Sequence, residues 1–235
     1  VDLTSMIPEL LSALPLTLAI IFVALVTGFC LALVVTTLRV RRIPLLSQLA
    51  DLYVSYARSV PVVLQLFVAF YGLPLVAGLF EMGDSLSAAA ASMVGLSLYH
   101  GGYLSEVMRP AFLAVERGQH DAADSLGYSF RQKMLRIVAP QAGHIALPGY
   151  GNAIIYLIHN VALVMYIGAA DVMATAHLIM ERDYNQYQFG TYLVLAVIYS
   201  LLCLIAWLIV RFFERRHAKY SSKTVAAKKT FTPSL

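Results

Sequence analysis

Five stretches of this chain are apolar for about the length needed to cross a lipid bilayer, and nothing else in it restricts the fold so severely. A hydrocarbon core roughly 30 Å thick takes about 20 apolar residues as a helix, and runs of that kind lie at about 14–38, 54–79, 86–108, 146–168 and 190–213. In lipid, backbone polar groups must be satisfied inside the protein, which leaves helices or closed barrels. Barrel strands alternate apolar and polar residues, and no such alternation is present. The expected fold is therefore an all-α integral membrane protein, a bundle of five transmembrane helices. Composition agrees: 60% of residues are hydrophobic and only 13% charged, where a soluble domain carries about 25% charge. Pro61, and Gly72 with Pro74, should bend or interrupt the second run. Asp2 and Glu9 open a chain whose first apolar run is too long for a cleavable leader, so the first span is expected to stay.

Basic residues set the orientation. Arg39, Arg41 and Arg42 follow the first run. Arg109, Arg117, Arg131, Lys133 and Arg136 lie between the third and fourth, and seven Lys and Arg from Arg211 to Lys229 follow the fifth. The intervening loops carry Glu81 and Asp84, then Asp171, Glu181 and Asp183, with Arg182 as the basic exception. By the positive-inside rule the N-terminus is outside and the C-terminus cytoplasmic. The net charge of +4 thus reports topology and calls for no nucleic-acid partner. The expected organisation is one transmembrane domain over 1–216 and a basic, disordered cytoplasmic tail over 217–235, whose charge suits acidic lipid. Cys30 and Cys203 sit inside apolar runs and read as packing residues.

The longest polar loop, about 109–145, is patterned too strongly for a plain connector. Asp121 offers a helix N-cap, Gly127 a helix stop, and Ser129 with Gln132 the start of a second, amphipathic helix running to Val138. Helix, glycine turn and helix make a compact knuckle facing the cytoplasm. This loop resembles the EAA loop of the permease subunits of binding-protein-dependent ABC importers. Asp121, Ala122 and Ala123, then Leu126, Gly127, Ile137 and Pro140, stand at the family spacings, with Asp121 in place of Glu and Ala139 in place of Leu. The surroundings resemble the polar amino-acid branch, the histidine, glutamine and arginine kind: Gly118-Gln119, Pro140-Gln141-Ala142, Ala146-Leu147-Pro148, Arg58-Ser59-Val60-Pro61, Gln65-Leu66-Phe67 and Asn152. The resemblance implies a type I importer permease fold in a bacterial inner membrane and ATP-driven uptake of an amino acid by alternating access. The chain has no phosphate-cradling Gly-x-x-x-x-Gly-Lys loop, so it should bind no cofactor, and ATP and Mg would sit on a separate ATPase. The implied partners are two cytoplasmic ATPase subunits docked on the 121–140 knuckle, a second permease subunit, identical or homologous, and an extracellular substrate-binding protein.

Polar groups within the spans are costly unless they face water, a ligand or another helix. Gln65 lies in the second run and Tyr99 in the third. Asn152, Tyr156, His159 and Asn160 recur on one face of the fourth. These six are the candidates for a substrate path, with interhelical glue as the competing reading. His159-Asn160-Val161-Ala162-Leu163 stands where many relatives carry a Lys-x-Thr-Ser-Leu stretch, a departure that weakens any transfer of ligand roles. Glu106 near Arg109 reads as an ion pair at the cytoplasmic end. A membrane enzyme is disfavoured, because the six histidines are scattered and no catalytic motif appears. An importer of another small solute, and a channel or assembly subunit, remain as alternatives.

Overall fold

The computed structural model describes residues 3–78, 86–184 and 186–229, with side chains from 6 to 216 within those limits. Every regular element among them is helical. In chain order they are α1 (Leu3–Arg41), α2 (Leu46–Ser59), α3 (Val62–Phe67), α4 (Leu73–Gly78), α5 (Ala88–Leu113), α6 (Arg117–Ser125), α7 (Phe130–Lys133), α8 (Ala139–Val161), α9 (Val172–Arg182) and α10 (Gln188–Lys229). Among the described residues three continuous helical stretches, Met6–Arg41, Phe130–Ile167 and Gln188–Arg216, are long and apolar enough to cross a membrane, and the bent pair Leu46–Ser59 with Val62–Gly78 meets the same measure only when its two arms are taken together. The expected third span, α5, has the length at 26 residues. It falls short in hydropathy because Ser, Gly, His and Tyr replace aliphatics along it, a composition suited to the middle of a bundle.

That is where α5 lies. It packs along α1 and touches α2, α3 and α8. In lipid, helices gain little from apolar burial, so close van der Waals approach of small residues holds them together. A Cβ at Gly101 would stand 2.9 Å from Leu31, and one at Gly28 would stand 3.0 Å from His100, so the α1–α5 crossing depends on glycine on both helices. The main core joins Ile20 and Ala24 of α1 to Leu66, Leu96 and Leu157.

Several boundaries differ from the sequence expectation. The first span does not begin near 14: α1 starts at Leu3, and Met6 and Leu10 are buried against Val172, Ala176, Ile179 and Leu195. The second is not one helix over 54–79. The chain turns by 117° between Ser59 and Val62, because Pro61 can neither continue the helix nor donate its amide. Pro74 causes no such break; a π-helical turn over Val68–Gly72 leads the chain into α4. Glu81 and Asp84 lie outside the described residues.

The fourth span does not start at 146. From Phe130 the helix runs through a π turn at Met134–Val138 into α8, so knuckle and span are continuous. Pro140, which has no amide to donate, follows directly on that π turn, where the regular bonding of the helix is already interrupted. The loop after Gly168 holds α9, an element not expected from the sequence. Asp171 caps it by accepting from Ala174 N at 2.9 Å, and Thr17 of α1 accepts from Val172 N at 3.1 Å. Burial pushes the Asp171 carboxyl pKa above its ordinary value, against the pull of the Ala174 and Met173 amides. The last helix does not stop near 213. Its backbone continues to Lys229 where disorder was expected from 217, since Ala218, Lys219, Lys223, Ala226 and Ala227 are strong helix formers with no breaker before Pro233. Residues 230–235 lie outside the described part.

Two long-range contacts sort the ends of the bundle. The Arg41 guanidinium lies 3.9 Å above the Phe130 ring, so the end of α1 and the knuckle share one side. At the other end Arg182 of α9 meets Glu9 of α1 at 3.2 Å.

Candidate functional site

The knuckle is built by local chemistry. α6 ends because Gly127 takes φ 72°, and the bonds Tyr128 N to Ala123 O and Gly127 N to Asp124 O, both 3.0 Å, close a Schellman stop. Ser129 and Gln132 form the expected capping box, with Ser129 N donating to Gln132 Oε1 at 2.9 Å and Gln132 N to Ser129 Oγ at 3.3 Å. Asp121 is not the N-cap. α6 begins four residues earlier at Arg117, after Glu116, whose side chain makes no capping bond. Gly118 costs a helix only about 1 kcal/mol, which the extra turn of hydrogen bonds offsets. Lys133 Nζ bridges to Asp124 at 2.7 Å and locks α7 onto α6.

Exposure then divides the knuckle into an anchoring side and an outward side. Ala123 is fully buried, whereas Asp121, Ala122 and Leu126 face outward, Leu126 with 72% of its surface open. Ile137 is half-buried and accepts from Gln141 Nε2 at 3.0 Å; Pro140 is exposed. Behind them Ala111 and Val115 pack on Val138 and Ala142, joined by Phe112, Met134 and Ala146. The knuckle is thereby fastened to the ends of α5 and α8. A displacement of the exposed α6 face would be transmitted to two spans as rigid-body motion.

The second group of candidates separates into three. Tyr99 faces Asn160 across the α5–α8 contact. Tyr103 lies tilted beside Tyr99, 6.2 Å between ring centroids, and meets Tyr156 edge-on at 5.8 Å. Tyr156 is half exposed and Asn152 is exposed, so this strip of tyrosines and amides is open along one side of the bundle. His159 is exposed like Asn152 and Tyr156, and its Nε2 lies 3.5 Å from Cys203 Sγ on α10. Gln65 is off the strip altogether. It is 4% exposed, and its amide donates to Ala57 O at 3.0 Å and Val60 O at 2.8 Å, carbonyls left without helical donors where Pro61 breaks the chain. In the structure Gln65 supports the elbow, and its buried side chain stands apart from the open strip.

One cluster was underestimated from sequence. Glu106 was read with Arg109, which approaches only to 3.9 Å; its carboxylate instead takes Arg39 of α1 at 2.5 Å and Arg58 of α2 at 2.7 Å. Arg39 also donates from Nε to Asp51 at 2.6 Å. Glu106 therefore joins three helices. The signal was present in an acid one turn from the end of a span, but no local spacing pairs residues 67 and 48 positions apart.

Comparison with known proteins agrees with this geometry. The chain is 35% identical over 215 residues to the probable amino-acid permease protein YxeN of Bacillus subtilis, covering 92% of this chain and 94% of that one. It is 31% identical over 220 residues to the L-cystine transport system permease protein TcyL of the same organism, covering 93% and 91%. Among solved structures, an amino acid ABC transporter with histidines matches with a TM-score of 0.78 at 30% identity, over 92% of this chain and 99% of that one. The model of the binding-protein-dependent transport system inner membrane component family matches residues 24–219, which include the knuckle, the tyrosine strip and the Glu106 cluster. The chain belongs to that family and is a multi-pass membrane permease subunit.

Proposed function

We propose that the chain is the membrane-spanning subunit of an importer that moves a polar amino acid inward by alternating access, driven by ATP hydrolysed on a separate subunit. The observation that carries this reading is the knuckle: a short helix with Ala122 and Leu126 exposed, stopped by a left-handed Gly127 and fastened to α5 and α8. Such a helix fits a groove on a cytoplasmic ATPase, and the continuous helix from Phe130 to Ile167 carries its displacement into the membrane. α5 would be the fifth crossing, with the N-terminus outside. The tyrosine strip is open on one side, and a second permease subunit facing it would complete the path. Two ATPases carrying ATP and Mg would sit below, and a substrate-binding protein would dock above. Amino-acid transport is supported by relatives named for an amino acid and for L-cystine, and by the matching transporter structure.

The test is Leu126→Asp in the assembled complex. A charge on the exposed apolar tip should abolish co-purification of the ATPase while the permease still inserts. Retention of the ATPase at wild-type stoichiometry, with normal uptake, would remove the knuckle as the docking element.

A further inference from the structure

Between α2 and the inner end of α5 lies a cleft of about 490 Å³, lined among others by Arg39, Asp51, Ser55, Arg58, Ser59 and Glu106. Its size is within the roughly 300–1,000 Å³ of small-ligand sites. Asp51, Ser55, Arg58 and Ser59 stand at i, i+4, i+7 and i+8, so a single face of α2 supplies them. The charges are arranged in two layers. Arg39 and Glu106, 11% and 25% exposed, pair with each other as the floor. Asp51 and Arg58, 61% and 54% exposed, form the rim, and each is held by the floor: Asp51 Oδ1 accepts from Arg39 Nε, and Arg58 Nη1 donates to Glu106 Oε2.

The two rim groups carry opposite charge and line one cleft, yet among the described residues no ion pair joins them to each other. An exposed carboxylate and an exposed guanidinium held apart, with two hydroxyls beside them, match a small zwitterion. The carboxylate takes an ammonium and the guanidinium takes a carboxylate in its planar fork. Seven residues apart on α2, their backbones stand about 10.5 Å apart along the helix axis, too far for a direct ion pair and close enough for their side chains to meet the two ends of one small molecule.

We propose that this face of α2 is a second amino-acid site, distinct from the tyrosine strip, that binds the α-ammonium of a free amino acid at Asp51 and its α-carboxylate at Arg58 on the inner side of the membrane. This rests on the importer reading above for the class of ligand and for the side on which the site opens. Because the rim hangs on Glu106, occupancy ties the α2 elbow to α5.

The experiment uses the complete complex in lipid nanodiscs without binding protein, titrated with glycine, L-glutamine and L-arginine, and with methylamine and acetate as the two halves of the zwitterion. At least one of the amino acids should bind in the millimolar range, with both halves at least roughly tenfold weaker. Arg58→Gln and Asp51→Asn should each weaken binding roughly tenfold or more, as expected for one charge-assisted bond. Those two variants disturb the cluster, so Ser55→Phe serves as the second test. Ser55 is exposed and takes part in no ion pair, and the ring fills the cleft; binding should disappear with the complex intact. Absence of binding by all three amino acids, equal binding of acetate, or binding that survives Ser55→Phe overturns the site. Uptake by the same complex with its binding protein separates the two readings. Uptake of an amino acid without binding at α2 sinks the second site alone, and no uptake of any amino acid sinks the importer reading.

Discussion

Replacing Gly127 with Val should disconnect ATP hydrolysis from transport while leaving insertion unharmed. Gly127 holds φ 72° with no atom beyond its own chain neighbours within 4 Å of where a Cβ would be, so the effect comes from local backbone conformation and not from collision with another element. Placing an L-residue in the left-handed region costs roughly 1–2 kcal/mol, and a β-branched side chain stands at the unfavourable end of that range. The chain can escape the strain by opening the Schellman stop, at a cost of two hydrogen bonds worth about 1 kcal/mol each. The alternatives are similar in energy, so the variant should spread between a strained native knuckle and an unwound one. A shift of 1–2 kcal/mol changes such a ratio by roughly 5–30-fold. ATPase activity and uptake in reconstituted vesicles should then diverge, with hydrolysis persisting and uptake falling several-fold per ATP. Gly127→Asn should retain much of the coupling, because Asn tolerates the left-handed region. Gly118→Ala, at a helical position with open space around it, should be neutral or slightly stabilising. Equal uptake per ATP in Gly127→Val and wild type would refute the coupling argument, as would equal damage from Gly118→Ala.

Gln65→Leu should destabilise the complex by about 2 kcal/mol by leaving the Ala57 and Val60 carbonyls unpaired, with uptake per assembled complex near normal; a selective loss of uptake at normal melting temperature would return Gln65 to the path. Glu106→Gln should cost about 2–4 kcal/mol, since it strips Arg39, only 11% exposed, of its acidic partner on α5, and thermal unfolding of the assembled complex reads it. Single cysteines at Glu181 and Arg131 should label from outside and only after permeabilisation, respectively; the reverse would overturn the orientation.

The capping box and the Gly127 stop were legible because each is set within a few residues by backbone chemistry. Pro61 was legible as a break for the same reason. What sequence could not supply was the size of the turn there, or that Gln65 exists to satisfy the carbonyls it frees, because a polar residue in an apolar run looks alike whether it faces a solute or a broken helix end. Asp121 shows the opposite error: a good capping residue is overridden when the preceding residues can also be helical. α9 had a readable pattern in Asp171 followed by Val172, Ala176, Ile179 and Met180, but at 11 residues it lies below the length that marks a span. The Glu106 cluster joins residues from three helices, and pairing across such separations is a product of packing.

The fourth-span stripe divides in the structure, and that division gives the sharpest remaining prediction. On sequence alone Asn152, Tyr156, His159 and Asn160 formed one face, and water, ligand or another helix could equally satisfy it. His159 now has a partner in Cys203 of α10, which joins the two helices that carry them. Asn160 and Tyr156 instead meet Tyr99 and Tyr103 on α5. His159→Ala should therefore act as a packing change, lowering thermal stability by about 1 kcal/mol or less and reducing uptake only in proportion to assembled complex. Asn160→Ala and Tyr156→Ala should do the reverse, with assembly near normal and uptake per complex falling several-fold. The deciding quantity is uptake divided by assembled complex, compared across the three variants. If His159→Ala is the one that lowers the ratio, the solute passes on the α10 side. If all three leave the ratio unchanged, the strip is a subunit seam and the path lies in the partner permease.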